Sequence, residues 1–495
     1  MYDAAVGGEH QDGRGCGIMH QTLAEQLAEY AARLRFEDLP AVVVHEVKRR
    51  LIDSFACALG ALGADAPTIA ARVARRVHAD RPATLIAGGS SSADMAAFAN
   101  GVLVRYLDFN DTYLSKEPAH PSDNLPAVLA AAEIAGRGGR DLIAAAVLAY
   151  EVQCRFCDAA SIRARGWDHV TYGSFSTALA AAKLFGCDHR QMVHALGLAG
   201  VDGVALRQTR AGELSMWKGC AFANAARNGV FAALLAADGM TGPAPIFEGV
   251  FGFEKLVSGP LGANLDLSKW GGMPSALGGH ADAKPTACHP FMINETYIKF
   301  WPAEYHSQSA IDAALQLRDE IGAGDRTIDA IERVDIDSFD ASVDIIGSDP
   351  EKWRPKTRET ADHSLPYCVA VALVDGKVGH AQFDPARFTD EKLLDLVARI
   401  KVHRDAELSA RYPAGIPNRL RVRLRGGREL VREVEFPRGH ARNPMTDAEV
   451  EAKFRHEAAG RLIAERAAAV LEAAWNVERL DRVGDLIAKL GTTLE

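Results

Sequence analysis

The sequence has little of what would tie it to a membrane, a nucleic acid or a disulfide scaffold. No apolar run in its 495 residues approaches the ~20 residues that span a bilayer, so the expectation is a soluble protein. The opening MYDAAVGGEHQDGRGCGIMH has no apolar signal-peptide core and a single Arg against Asp3, Glu9 and Asp12, so it reads as a mobile tail over residues 1–20. Its glycines precede no strand–helix unit and so cradle no phosphate. Basic charge is not in excess. The formal net charge is −9, whereas a general nucleic-acid binder carries a basic face or stripe. An anionic small molecule could still bind, but only where a local cluster of Lys, Arg and His overcomes that sign.

Cysteine is sparse as well. Eight Cys, irregularly spaced, exclude a disulfide framework and fit a reducing cytoplasm. Cys154 and Cys157 form a CRFC pair, but no second pair stands at zinc-ligand spacing; they read as two buried thiols on one helix face. Sixteen His include no HxxxH or HExxH spacing, and the Cys placement for an iron–sulfur cluster is missing. The expectation is no cofactor and no metal.

What is present is ordinary globular composition, 48% hydrophobic and 24% charged, in a chain long enough for two domains. Val44, Val47, Leu51, Phe55 and Leu59 repeat at three and four residues, one face of a helix. Gly- and Pro-rich breaks at 60–67, 136–141, 185–188 and 238–245 punctuate a pattern that reads as helical from Gln21 to about Gly278. After the Gly/Pro-rich stretch 271–290 the character changes. A helix is expected at about 307–321. Alternation over 331–339 and 398–405, and on both sides of Gly426-Gly427, predicts strands and a hairpin. Helix returns after Phe436. These patterns predict a mainly α protein with an all-helical domain over 21–290 plus 437–495 and a smaller α+β domain over 291–436.

One stretch concentrates chemistry. RYLDFNDTYLSKEPAHPSDNLP, Arg105 to Pro126, sets ionisable and hydrogen-bonding groups between two apolar segments, and it is longer than a helix connector needs to be. Part of it suits a helix start, where Asp123 or Asn124 could cap free N–H groups and Pro126 fits a first turn.

HPSDNLP within this stretch, RETADHSLPYCVAVALVDG at 358–376, LIDSFACALGALG at 51–63, GWDHVTYGSFSTALAAAKLFG at 166–186, SMWKGCAFANAARNG at 215–229, KFWPAEYHSQSA at 299–310 and GHARNPMTDAEVEAKF at 439–454 together resemble the MmgE/PrpD family. Its best-known members dehydrate 2-methylcitrate. The resemblance implies a helical domain built from both chain ends with an inserted α+β lid, and a cofactor-free hydro-lyase of propionate breakdown. It further implies a homodimer acting on a small tri- or dicarboxylate.

Such an elimination needs a base, an acid and fixed cations. The resemblance places His120, His169 and Asp108 in catalytic positions, and Thr112, Lys218, Lys299 and Glu304 around the substrate. Imidazole suits proton transfer near neutral pH. Lys218, a lone cation in what reads as an apolar, small-residue helix, is costly unless it meets an anion. Related cis-aconitate decarboxylases carry a histidine where this chain has Glu304, which counts against that activity. Decarboxylation of cis-aconitate or epimerisation of an imino-dicarboxylate are the enzymatic alternatives, and a non-catalytic helical binding protein is the other class. His306 and His363 are weaker site candidates, and Tyr367 reads as structural.

Overall fold

The computed structural model describes residues 21–211, 214–274, 288–321 and 328–491. The N-terminal tail, and most of the stretch expected to part the two domains, lie outside them. The chain enters its first helix, Leu23–Arg33, through a capping box: Thr22 accepts from the Glu25 N–H and Glu25 returns a bond to Thr22. This satisfies two of the free N–H groups at the helix start. In the long helix Ala41–Gly60 the apolar repeat faces inward, with Val47, Leu51, Phe55 and Leu59 all buried. Helices Thr171–Phe185 and Ala221–Ala237 pack closely. A Cβ on Gly173 would lie 2.4 Å from the Phe222 ring, and one on Gly229 only 2.0 Å from Thr177 Oγ1.

The larger core runs from Leu23 to Ile298 and resumes from Met445 to Leu490, so the last helices, Asp447–Ala458, Ala464–Trp475 and Gly484–Leu490, close onto the first. Cys154 and Cys157 are buried free thiols on helix Gly139–Ala159. A second core draws on residues 303 to 424. Its sheet has four strands, β3 (Ile331–Ser338), β4 (Ile400–Arg404), β5 (Asn418–Leu424) and β6 (Glu429–Val434), in the order β4-β3-β5-β6. Only β3–β4 is parallel. The hairpin β5–β6 turns at Gly427, whose φ of +82° is the conformation such a turn asks of glycine. Leu420, Val422 and Leu424 face inward while Arg421 and Arg423 alternate outward, as a half-buried strand requires. Helices Gln308–Glu320 and Leu365–Asp375 cover the inner face. The protein is mainly α with a small α+β part.

Two sequence expectations fail. A short hairpin, β1 (Ala83–Thr84) with β2 (Ser90–Ser91), interrupts the helices. Beyond Ala237, residues 238–274 form turns and short 3-10 or π segments with no α-helix. Pro243, Pro245 and Pro260 remove backbone donors there, and the glycines around them make helix costly.

Candidate active site

Helix Ala93–Tyr106 delivers Arg105 in its last turn, and the chain leaves it through Asp108 at φ +51°. This is the left-handed position that helix ends usually give to glycine; aspartate tolerates it better than most residues. The loop then folds on itself. Tyr113 and Ala119 exchange backbone bonds of 2.8 and 2.9 Å, and Thr112 pairs both ways with Tyr297 at 2.8 Å. Beneath it lies a buried polar floor. Asn110 Nδ2 donates to Ser122 Oγ at 2.8 Å and to Asp123 Oδ1 at 2.7 Å, and the Tyr150 hydroxyl donates to Asp111 Oδ2 at 2.7 Å. The helix-capping reading of Asp123 and Asn124 fails here, because neither side chain caps. Asp123 is taken by Asn110, and Asn124 donates to the Pro121 carbonyl at 2.8 Å and to Gln153. Burial pushes Asp123 up to about 7 despite the nearby Arg105.

All seven residues singled out in the sequence line one cavity of about 460 Å³: Asp108, Thr112, His120, His169, Lys218, Lys299 and Glu304. Asp108 is its electrostatic centre. Arg105 Nη1 donates to Oδ1 at 2.6 Å, Lys299 Nζ donates to Oδ1 and to the Asp108 carbonyl at 2.8 Å each, and Lys218 Nζ reaches Oδ2 at 3.2 Å. Burial alone would raise this carboxyl; Arg105, Lys299 and Lys218 hold it well below the usual range. Lys218 sits in a 3-10 turn, Met216–Gly219, rather than inside helix Ala221–Ala237. Ser215 caps that turn through the Trp217 N–H, which delays the helix.

His120 is held in one tautomer by its partners. Nδ1 lies 2.7 Å from the Asp111 carbonyl, which can only accept, so this nitrogen carries the proton. Nε2 lies 3.0 Å from Arg105 Nη2, which can only donate, so it presents a lone pair. Burial, then Arg105 and Lys299, keep this ring well below the ordinary histidine range, which favours its neutral form. His169 stands 6.3 Å away between ring centroids. Its Nδ1 pairs with Asp168 at 3.0 Å, and Asp168 is gripped from the other side by Arg210 Nε at 3.0 Å. Burial outweighs Asp168 and pushes His169 down to about 3.

Glu304 closes the opposite wall. Its carboxylate accepts from the His306 N–H at 2.8 Å and from His306 Nδ1 at 2.7 Å. Burial would raise it, but His306 and His363 bring it down to about 2. Its backbone N–H donates to the Asp362 carbonyl at 2.9 Å, which sets His363 beside it. There the His363 Nε2 lies 2.9 Å from Lys218 Nζ and 3.3 Å from Asp108 Oδ2. Tyr367 is buried with its hydroxyl on the Gln382 carbonyl. Among the described residues, Asp108, Asp362 and His363 bring possible metal-ligand atoms within 4.8 Å of one another. The Lys218 ammonium already stands between His363 and Asp108.

Arg105, Asp168, Arg210 and Asp362 were not singled out from sequence. An arginine in the last turn of a helix looks like an ordinary exposed dipole partner, and nothing local marks the others. Only their convergence shows them: Arg105 on Asp108 and His120, Asp168 with Arg210 on His169, and Asp362 on His363.

Two neutral imidazoles facing a cavity lined by Arg105, Arg163, Arg207, Arg210, Lys218 and Lys299 are equipment for moving protons on a small anion. That is the class of protein the fold and the cavity define. The chain belongs to the MmgE/PrpD family: the family's N-terminal domain matches residues 25–265 and its C-terminal domain residues 301–478. It is 28% identical to a 2-methylcitrate dehydratase of Cupriavidus necator, over 90% of this chain and 92% of that one. It is 29% identical to the 2-methylcitrate dehydratase of Escherichia coli K12, over 70% and 71%. An alkylcitrate dehydratase from a fungus is 26% identical over 72% and 71%.

Proposed function

We propose that this protein is a hydro-lyase that dehydrates 2-methylcitrate to 2-methyl-cis-aconitate by acid–base catalysis without a cofactor, as a step of propionate breakdown. The observation that carries the reading is His120, whose unprotonated Nε2 faces a cation-lined cavity from a fixed tautomer. The names of the relatives point the same way. In this reading the substrate carboxylates lie among Arg105, Arg210, Lys218 and Lys299, as charge-assisted partners. As Arg105 Nη2 turns from His120 Nε2 to a substrate carboxylate, the freed lone pair takes the proton from the carbon beside a carboxylate. The substrate's negative charge raises the proton affinity of His169, which takes up a proton from solvent as the substrate binds and delivers it to the departing hydroxyl, so that it leaves as water. Asp108 stays ionised and keeps the cations in place. Thr112, 3.1 Å from His120 Nδ1, fixes the ring, and Glu304 accepts from a substrate hydroxyl.

The sheet-bearing part, 291–436, is the lid in this account, and the helical part, 21–290 with 437–495, is the base. We further propose a cytoplasmic homodimer. Among the described residues the seven cysteines are free thiols, which suits a reducing compartment, and no single helix is long and apolar enough to cross a membrane. The test is to offer the purified protein 2-methylcitrate, citrate and cis-aconitate and to identify each product by NMR. Water loss from 2-methylcitrate is expected, while release of CO2 from cis-aconitate as the dominant reaction would overturn the assignment.

A further inference from the structure

The stretch GHARNPMTDAEVEAKF near the C-terminus contributes no side chain to the cavity, yet it packs behind the segment that carries Lys299. A Cβ on Gly439, which has φ +93°, would lie 1.9 Å from the Ile298 carbonyl oxygen. The His440 ring stacks on Tyr297 with centroids 4.4 Å apart. Nearly two turns into helix Asp447–Ala458, Lys453 is buried; its ammonium donates to the Phe109 carbonyl at 2.8 Å and the Lys299 carbonyl at 2.9 Å, and it forms an ion pair with Asp53 Oδ1 at 2.6 Å. It also lies 3.5 Å from the centroid of the Phe109 ring.

With two carbonyls and a carboxylate around its ammonium, Lys453 does not line the cavity that holds Asp108 and His120. Lys453 opens instead onto a separate cavity of about 250 Å³ beside Phe300 and Trp301. The two carbonyls it holds belong to the residue after Asp108 and to Lys299, 344 and 154 residues away in sequence. Lys299 in turn grips the Asp108 carbonyl and carboxylate. The segment 297–299 is thus held between the loop that pairs at Thr112 and the stretch 439–453.

We propose that Lys453, with Asp53 as its buried counter-ion, is a positioning residue: it clamps the backbones of Phe109 and Lys299 and so sets where the Asp108 carboxylate and the Lys299 ammonium stand in the active site. The inference rests on the dehydratase reading for its kinetic readout. A displacement of about 1 Å in such a site costs up to about 10²-fold in rate, without removing any group that binds substrate.

Two variants test it. Asp53→Asn/Lys453→Met removes the clamp and its counter-ion together, so that no unpaired charge stays buried. Lys453→Arg keeps the charge opposite Asp53, and therefore the fold, but a planar fork cannot reach both carbonyls as an ammonium does. For folded variants the expected result is a kcat lower by about 10–100-fold with KM changed by no more than about threefold. Amide exchange over residues 107–113 should be faster by at least about tenfold, with helical regions unchanged. Wild-type kcat together with wild-type exchange in that loop would overturn the proposal. Should the wild-type protein leave 2-methylcitrate untouched, the dehydratase reading falls, and loop exchange alone still decides the positioning role.

Discussion

In the proposed reaction His120 carries the acid–base chemistry, a role that suits a ring whose two nitrogens are fixed in opposite states by Asp111 and Arg105. His120→Gln should keep most of the ring's hydrogen bonding while losing proton transfer, which costs ~10²–10⁴-fold in kcat; the affinity of an unreactive tricarboxylate, measured by calorimetry, should change far less. His169 gives a second test. Its folded value of about 3 lies below the unfolded ~6.5. Between those values the unfolded chain binds a proton that the folded one refuses, so the ring's stabilising contribution is full above about 6.5 and is lost as pH falls toward about 3. Urea unfolding of wild type and His169→Gln at about pH 5 and about pH 7 should show a smaller loss in the variant at the lower pH, by up to ~1.4 kcal/mol per unit. Equal losses would remove the shift. The resemblance named seven of the side chains that line the cavity. It assigned Lys218 and Lys299 to the substrate, and in the structure both ammonium groups are paired with Asp108. Pairings between residues 110 and 191 positions apart have no local signature, so Asp108 could be read as a loop residue but not as the centre of a charge cluster.

Among the elements, those with a clear period were legible. Alternation marked β3 through β6 within a residue or two, and the three-four repeat marked helix Ala41–Gly60. The segment 246–270 and the turn at Lys218 read as helix in the sequence and are not helix in the structure, since apolar content there serves packing without regular backbone. Lys218 stands before the helix because Ser215 caps an earlier turn, a choice set by a single hydroxyl. The connection between 297–299 and the C-terminal stretch was not legible, because close approach leaves only a glycine as its trace. Gly439→Ala tests it: the positive φ costs roughly 1–2 kcal/mol for an L side chain, and the added methyl would also have to displace the Ile298 carbonyl. Chemical denaturation should show a loss of at least ~1–2 kcal/mol, and an unchanged midpoint would mean that the segment yields freely.

For the whole molecule, a net charge of −9 and an anionic substrate are reconciled by concentrating cations in one cavity and pairing the acids beside them. Asp168 is held by Arg210 and His169, Glu304 by His306, and Asp108 by Arg105 and two lysines. The first and last described helices share one core, so helix Asp447–Ala458 can support a loop that lies early in the sequence. The composition fixed neither the crossing of the two parts nor the position of the cavity between them; both depend on long-range packing that the family resemblance supplied and periodicity did not. In the proposed mechanism imidazoles and fixed cations alone run the elimination. The direct measurement is the rate at which protein exhaustively treated with chelator converts 2-methylcitrate to 2-methyl-cis-aconitate, followed by NMR beside untreated protein. The account predicts the same rate in both; a rate lost on chelation and restored by one equivalent of a divalent metal would contradict it.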